Sequence, residues 1–350
     1  MSSGNRLLLL LLGTAAVCCT RPAGPGVAEQ TPLRKIRVLA RAHLSMAPLL
    51  IAQEEGYFRE QGLDVELFSL ASSRDGLPAL IKGDLDVLTS SIVPAYLNLI
   101  AHGAPIRLVA DKGRIGTGGC SYLGFWTRPD AVVSARTLRR RSSRQRWLFS
   151  VARGTFYEYL SERFLAGTDI PPDDVDLVDI DGSAEVEGLA RGTVDVGLGT
   201  ESKFLAAARE GLLVEWKSAS DVLPGFQFSV LLFGPSLLET DREAGQRFIN
   251  GYLRGVRQYN QGKTDRNLEI LAARTDFDRE TLAELCWIPM DADGRINERS
   301  LVELMDWGHE RGYVDRVLAP EEFWDRRFID EAARLLGDAV TTQPGASARK

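Results

Sequence analysis

From Arg34 onwards, short segments with a two-residue hydrophobic period alternate with longer amphipathic segments. LDVELF, residues 63–68, alternates apolar and acidic side chains as a half-buried strand does. APLLIAQEEGYFREQG, residues 47–62, has a proline near its first turn and the spacing of a helix. The same alternation restarts at RWLFSVA, residues 146–152. Strands that alternate with helices of about ten residues predict mainly parallel sheets with helices on both faces, an α/β fold.

The pattern changes in the last third of the chain. PGFQFSVLLFG, residues 224–234, is typical of a strand that returns to an earlier sheet. Helical segments then follow one another without strands between them, beginning with residues 240–262, where Asp241 is a suitable N-cap. Helices in series cannot extend a parallel sheet, so we expect them to pack on the outside of a lobe already formed. From residue 341 to residue 350 we expect a disordered tail.

One short pattern occurs twice. LIKGDLDVLTSS, residues 80–91, and LARGTVDVGLGT, residues 189–200, both contain Leu-x-x-Gly-x-x-Asp-Val. In each copy a cation in the last turn of a helix precedes a glycine suited to the left-handed C′ position, and a strand then opens on Asp-Val. Ligands of doubly wound sheets lie beyond the carboxyl ends of the strands. The repeat therefore predicts two similar lobes that face each other across a cleft, although helix–glycine–strand junctions also arise by chance in α/β proteins.

The length and composition fit two domains. A chain of 350 residues with 44% hydrophobic content is longer than a domain with a single hydrophobic core usually is. The formal charge of −6 gives no general reason to expect binding to nucleic acid. Positive charge is concentrated in ARTLRRRSSRQRW, residues 135–147, which contains six arginines from Arg136 to Arg146. A solvated surface loop is the favoured interpretation, and contact with anionic lipid or an acidic partner is the alternative.

The N-terminus has the composition of an export signal. Arg6 precedes six leucines and a run of small residues, which is too short for a membrane-spanning helix. Cys18 and Cys19 follow, and this pair resembles the lipid-attachment site of bacterial lipoproteins, although Val17 departs from that motif. Ordinary cleavage near residues 26–28 is the alternative. We expect residues 1–33 to comprise a signal and a flexible tether, with lipid attachment as the membrane contact.

Few residues after the N-terminal leader suggest catalysis or metal binding. Cys120 and Cys286 are the only cysteines beyond the leader, and two isolated buried thiols are favoured over a single bridge. The three histidines are far apart, and His-Glu-x-x-His, Cys-x-x-Cys and Gly-x-Ser-x-Gly motifs do not occur in the sequence. We therefore expect no metal, no cofactor and no catalytic residues, and a protein that binds without turnover.

Three segments closely resemble one group of ABC-transporter solute-binding proteins. They are APLLIAQEEGYFREQGLDVEL, ALIKGDLDV and GAPIRLVAD, and the group binds nitrate, alkanesulfonates, taurine or thiamine-type pyrimidines. The helices after residue 234 look like the group's C-terminal helices. The resemblance implies a two-lobed type II periplasmic-binding-protein fold with extra C-terminal helices on lobe one. Lobe one is expected from residues 34–122 and 227–340, and the inserted lobe two from residues 123–226.

The same resemblance implies a function. We expect an exported receptor, periplasmic or at the cell surface, that captures a small polar, anionic or zwitterionic molecule and delivers it to an ABC permease. A monomer without nucleic-acid partners is implied. Two alternatives stay open: an enzyme on the same fold, such as a dehydratase or a pyrimidine-synthesis protein, and a ligand sensor that transports nothing.

Candidate ligand residues lie in loops that follow predicted strands. Hydroxyls and free N–H groups at helix starts favour an anion, although each serine could serve as a plain N-cap. Arg153 suits an oxyanion, whereas Asp181 and Glu201 suit a cation, so a zwitterion or an aromatic heterocycle would satisfy both. The aromatic candidates could stack on a ring or belong to the core. The candidates are His43, Ser45, Met46, Ser72, Ser73, Ser90, Ser91, Trp126, Arg153, Thr155, Phe156, Asp181, Thr200 and Glu201.

Overall fold

The computed structural model describes residues 32–40, 44–69, 76–131, 146–180 and 182–341. Ten strands build two sheets. They are β1 (Arg34–Leu39), β2 (Leu63–Phe68), β3 (Val87–Ser91), β4 (Arg107–Arg114), β5 (Leu123–Thr127), β6 (Trp147–Ser150), β7 (Val175–Val178), β8 (Val196–Thr200), β9 (Val214–Ser218) and β10 (Gln227–Phe233).

Helices connect the strands and cover the sheets. They are α1 (Ala47–Glu54), α2 (Tyr57–Glu60), α3 (Leu77–Lys82), α4 (Pro94–Ala101), α5 (Phe156–Ala166), α6 (Gly182–Arg191), α7 (Glu201–Arg209), α8 (Arg242–Tyr259), α9 (Asp265–Arg274), α10 (Arg279–Glu284), α11 (Glu298–Glu310), α12 (Pro320–Phe323) and α13 (Arg327–Thr341). None of the helices in the described part of the chain is long and apolar enough to cross a membrane.

The two sheets repeat one topology. The first has the strand order β2-β1-β3-β10-β4 and the second has the order β7-β6-β8-β5-β9. In each sheet the first three strands pair in parallel, and the fourth runs antiparallel to both of its neighbours. Two mixed sheets flanked by helices therefore form the two-lobed α/β fold that the hydrophobic pattern predicts, and β10 is the return strand expected in residues 224–234.

The chain crosses between the sheets at two adjacent places. Residues 115–122 connect β4 to β5, and residues 219–226 connect β9 to β10. The connections are hydrogen-bonded to each other: the Ile115 N–H donates to Phe226 O at 2.8 Å, and the Gly225 N–H donates to Ile115 O at 3.1 Å. The two crossings between the sheets therefore lie side by side.

The repeated motif has the predicted local structure. Gly83 and Gly192 follow α3 and α6 with φ of 79° and 77°, the left-handed conformation that a residue with a side chain adopts only with strain. Asp86 and Asp195 then lead into β3 and β8, and both side chains are almost fully buried. The sequence repeat therefore corresponds to a repeat in the fold.

The C-terminal helices pack on the first lobe. Helix α8 lies against α1, and Gly255 comes so close that a Cβ atom there would lie 2.2 Å from Pro48 O. The helix predicted over residues 47–62 is instead two helices, because Gly56 adopts φ of 75° and ends the first of them. Glycine in that conformation interrupts the helical backbone.

Helix α11 also contacts the second lobe. Trp307 Nε1 donates to Glu162 Oε2 of α5 at 2.9 Å, and Arg311 forms an ion pair with the same carboxylate at 2.8 Å. Tyr159 of α5 donates to Glu303 of α11. The C-terminal region thus contacts both lobes, which the expectation of helices packed outside one lobe did not include.

Cys120 and Cys286 form a disulfide, with their Cα atoms 5.5 Å apart. The favoured sequence interpretation, two isolated thiols, is wrong. Cys120 lies in the first connection between the sheets, and Cys286 follows α10 far along the chain. The sequence left this bridge open as the alternative, because the pairing depends on a long-range approach of two loops.

Candidate ligand-binding cleft

A cavity of about 580 Å³ lies between the two sheets. Strand ends supply much of its wall: Ser90 and Ser91 end β3, Ser150 ends β6, and Thr200 ends β8. These are carboxyl ends, where doubly wound sheets place ligands. Both copies of the repeated motif therefore open into the same cleft.

Hydroxyl groups of the first lobe are held in fixed positions on the cleft wall. The Ser90 and Tyr96 hydroxyl oxygens lie 2.8 Å apart in a hydrogen bond. Ser229 Oγ donates to Ser90 O at 2.7 Å, and Thr89 Oγ1 donates to Leu39 O at 3.0 Å. Side chains that are already ordered lose little entropy when a ligand binds, so this wall is suited to recognition of polar groups.

Lys112 is the single cation on the first lobe's described cleft wall. Its side chain extends from β4, is 5% exposed, and donates through Nζ to Ser45 Oγ at 2.8 Å. Ser45 also contacts the hydroxyl of Tyr122. Burial lowers the pKa of Lys112 to about 7, and the negative charge of Asp111 opposes this effect only in part. Lys112 is therefore close to the balance between charged and neutral forms at neutral pH.

The adjacent carboxylate, Asp111, is occupied by other donors. Its Oδ1 accepts from the Gly113 N–H at 2.7 Å and from Gln227 Nε2 at 2.6 Å, while its Oδ2 accepts from the Asp291 N–H at 2.7 Å. Burial nevertheless raises the pKa of Asp111, because desolvation outweighs these donors. Neighbouring residues of a strand point to opposite faces, so this network supports β4 from the face away from Lys112.

The second lobe contributes the start of α5 and an ion pair to the cleft wall. Thr155 is the N-cap of α5: its Oγ1 accepts from the Tyr157 N–H at 3.2 Å and donates to Ala152 O at 2.6 Å. On α7, Lys203 forms an ion pair with the buried Glu185 of α6. This lysine thus already has a carboxylate partner within its own lobe.

Glu158 fixes the loop that precedes α5. Its Oε2 accepts from the Gly154 N–H at 2.6 Å and from the Tyr313 hydroxyl at 3.0 Å. Gly154 has φ of 67°, a conformation that favours glycine. Tyr313 follows α11, so a residue of the C-terminal region stabilises the helix start that carries Thr155.

Aromatic side chains form an apolar part of the cleft. Phe156 and Tyr157 of the second lobe meet Phe228 of the first lobe edge to face, with ring centroids 5.6 and 6.1 Å apart. Phe277, between α9 and α10, also lines the cavity, and Tyr157 and Phe277 are only partly buried. The cleft therefore offers a ligand both ordered hydroxyls and exposed aromatic surface.

Comparison with known proteins supplies the family. The sequence model of the NMT1-like family matches residues 29–254, which is more than half of the chain. The chain belongs to the NMT1-like family. No curated protein matches this NMT1-like chain by sequence.

Solved structures share the fold of this NMT1-like protein. A ligand-binding component of an ABC-type import system from Staphylococcus aureus, solved with zinc bound, matches with TM-score 0.70 and 16% identity over 87% of this chain and 100% of that one. The nitrate-binding protein NrtA of Synechocystis PCC 6803 matches with TM-score 0.66 and 15% identity over 91% and 93%. The aliphatic sulphonate binding protein SsuA of Escherichia coli matches with TM-score 0.64 and 12% identity over 91% and 96%. At such identities the likeness establishes the periplasmic-binding-protein fold.

Half of the ligand-site candidates predicted from the sequence lie on the cleft wall of the NMT1-like chain. These are Ser45, Met46, Ser90, Ser91, Thr155, Phe156 and Thr200. Four others, His43, Ser72, Ser73 and Asp181, lie outside the described residues, as do Cys18, Cys19 and residues 136–145 of the arginine-rich segment.

Three selected residues lie away from the cleft wall. The Trp126 ring stacks on Phe204 in the core of the second lobe, with centroids 5.2 Å apart. Arg153 is exposed to solvent beside the helix start and does not line the cavity. Glu201 Oε2 accepts from the Cys286 N–H at 2.6 Å, so its carboxylate holds the segment after α10. The position of Trp126 fits the alternative interpretation, that this aromatic residue belongs to the core.

Several lining residues were not selected from the sequence. Lys112 did carry a signal, because Asp111 and Lys112 are adjacent charges directly after the apolar run Leu108-Val109-Ala110. Charged side chains are rarely fully buried unless they are paired. Phe228, Ser229 and Phe277 gave no such signal, because they reach the cleft only when distant segments fold back on the first lobe. In the described part of the chain, no group of three or more His, Cys, Asp or Glu side chains could hold a metal ion.

Proposed function

We propose that this protein is an exported solute receptor that captures a small polar, anionic or zwitterionic molecule between its lobes and delivers it to an ABC importer. The observation that carries the proposal is the cleft itself, where ordered hydroxyls of one lobe face a helix start and hydroxyls of the other. Solved proteins of this fold include components described as binding nitrate and aliphatic sulphonates, which supports the same class of role here.

Ligand capture follows from the way the lobes are joined. A solute that contacts Ser45 and Ser90 on one side and Thr155 and Thr200 on the other makes all of these contacts only when the lobes are close together. Such differential contact shifts the population toward the closed form, with the paired connections at residues 115–122 and 219–226 as the hinge. We assign ligand contact to the seven selected residues on the cleft wall, and the four selected residues outside the described ranges stay predictions.

The wider arrangement is part of the proposal. Residues 34–122 and 227–340 would move as lobe one and residues 123–226 as lobe two. The leader of residues 1–33 would export the chain and attach it to a membrane at Cys18 or Cys19, and a closed monomer would dock on the permease. The receptor would bind without chemical change of the solute.

A combined binding and scattering experiment tests this function. The chain from Ala28 onward, refolded to remove any bound solute, is screened by thermal shift against nitrate, sulfonates, taurine, aromatic carboxylates, pyrimidines and polyamines. A ligand at about 100 times its dissociation constant adds roughly 2.7 kcal/mol of stability. We expect a hit that also decreases the radius of gyration and is recovered intact. Conversion of the bound solute would support the enzyme alternative, and binding without compaction would contradict capture between lobes.

A further inference from the structure

Lys112 is a buried lysine on the wall of the cleft. Among the residues that the structure describes, no carboxylate lies within ion-pair distance of Lys112 Nζ, whose one hydrogen bond is to Ser45. The nearest negative charge, Asp111, is held by three donors on the other face of the sheet. An ammonium group removed from water without a counter-charge is unfavourable, so an anion supplied from outside would be strongly favoured here.

Lys203 of the second lobe differs in this respect. It also lines the cavity, but it already pairs with Glu185. The exposed Asp179 lies on the same lobe's part of the wall. Within the described wall, an unpaired positive charge is therefore found on the first lobe, which places the anionic end of a ligand beside β4.

The size and the apolar surface of the cleft indicate more than an inorganic ion. Pockets for organic ligands occupy about 300–1,000 Å³, and the cavity of about 580 Å³ falls within that range. A nitrate at Lys112 would leave most of this volume, including the partly exposed rings of Tyr157 and Phe277, in contact with water. Apolar atoms placed against those rings would gain from removal of that surface from water.

We propose that the ligand is an amphiphilic organic anion, whose single acidic group binds Lys112 and Ser45 and whose aromatic or bulky aliphatic body packs against Tyr157, Phe228 and Phe277. This inference rests on the proposed function and names the ligand class for it. A sulfonate and a carboxylate share the required chemistry, because both are compact oxyanions that accept hydrogen bonds from an ammonium and a hydroxyl.

Binding of such an anion should be accompanied by proton uptake at Lys112. Burial lowers the pKa of free Lys112 to about 7, and an anion bound at Nζ raises it again. Among the described residues, the groups around this site on the first lobe's side are Ser45, Tyr96 and Tyr122, with Asp111 behind the strand. Across the cleft are Tyr157, Asp179 and the paired Glu185 and Lys203. Affinity should then fall as the pH rises above about 7, by at most about tenfold per pH unit.

Matched probes test the ligand class directly. Calorimetry at pH 6.5 compares benzenesulfonate, phenylacetate and hexanesulfonate with the neutral benzenesulfonamide, the cation benzylamine, and the small anions methanesulfonate and nitrate. We expect the bulky anions to bind at least tenfold more tightly than the small anions and at least 100-fold more tightly than the neutral and cationic probes. The proposal is overturned if a neutral, cationic or small anionic probe is the tightest, or if no bulky anion binds.

Variants of the lysine separate its role from general stability. Lys112→Met should weaken the tightest bulky anion at least 100-fold, whereas Lys82→Met, at an exposed position at the end of α3, should leave the dissociation constant unchanged. Lys112→Arg should keep binding at pH 9, where the native affinity has fallen. Unchanged affinity in a folded Lys112→Met protein overturns the assignment. Capture of a cation with compaction of the lobes would overturn this ligand class while leaving the proposed receptor function intact.

Discussion

Asp86 and Asp195 make the same hydrogen bond in the two lobes. Asp86 Oδ2 accepts from the Arg37 N–H of β1 at 2.7 Å, and Asp195 Oδ2 accepts from the Leu148 N–H of β6 at 3.0 Å. Each aspartate also donates its own N–H to the carbonyl of that same residue. In the first sheet the aspartate of the repeated motif thus connects the start of β3 to β1, and in the second sheet it connects the start of β8 to β6. This shared hydrogen bond to the neighbouring strand explains why both copies of the motif contain an aspartate.

Replacement of either aspartate by alanine should destabilise the protein by about 1–3 kcal/mol, because a buried backbone N–H loses its acceptor. Urea unfolding of Asp86→Ala and Asp195→Ala measures the change. Asp84→Ala, at an exposed position of the same motif, serves as the control. If Asp86→Ala lost no more stability than the control, the shared hydrogen bond would have no energetic importance.

Loss of the Cys120–Cys286 bridge should lower stability by about 2–4 kcal/mol, since the bridge closes a long loop in the unfolded chain. The double replacement of both cysteines by serine, compared with the native protein with and without reductant, measures this effect. Reductant should lower the melting temperature of the native protein and leave that of the double variant unchanged. A native protein that melts at the same temperature under both conditions would contradict the prediction.

Glu201 should matter for stability and not for ligand affinity. Its carboxylate accepts from the Cys286 N–H, so Glu201→Ala should cost about 1–2 kcal/mol in urea unfolding. Glu201→Gln, which retains an acceptor oxygen, should bind the best ligand within about twofold of the native dissociation constant. A large loss of affinity in Glu201→Gln would return this residue to the ligand site and favour a cationic group in the ligand.

The stability of the ligand-free protein should rise with pH because of Lys112. Its pKa is about 7 in the folded protein, against 10.5 for an unperturbed lysine. Between these values the unfolded chain binds more protons, so the free energy of unfolding increases with pH through this window and is insensitive to this group below it. Urea unfolding at pH 6, 8 and 9.5 should show a steeper rise for the native protein than for Lys112→Met. Parallel profiles for the two proteins would show that Lys112 keeps an ordinary pKa.

The sequence predicted what depends on local pattern. Gly83 and Gly192 adopt the left-handed conformation expected after a helix, and residues 224–234 contain the expected return strand, because period and turn chemistry are local properties. The break at Gly56 was missed, since helical spacing continues through it and a single glycine can lie within a helix. The general location of the cleft followed from the repeat.

The details of the cleft depend on contacts between distant segments. Phe277 and the Cys120–Cys286 bridge come from loops whose approach is decided by the packing of the C-terminal helices on the first lobe. Glu201 begins α7 and Trp126 lies in β5. The Glu201 carboxylate contacts the Cys286 N–H and the Trp126 ring contacts Phe204, so neither side chain lines the cleft. Spacing along the chain places a residue near a strand end and does not fix the direction of its side chain.

The most direct test of the account is a crystal structure of the protein purified under native conditions with whatever solute it retains. We predict electron density for one organic anion between the lobes, with an acidic oxygen within hydrogen-bond distance of Lys112 Nζ and apolar atoms against Tyr157 and Phe277. A solute bound outside the cleft, or a cleft solute that lacks an acidic group at Lys112, would contradict it.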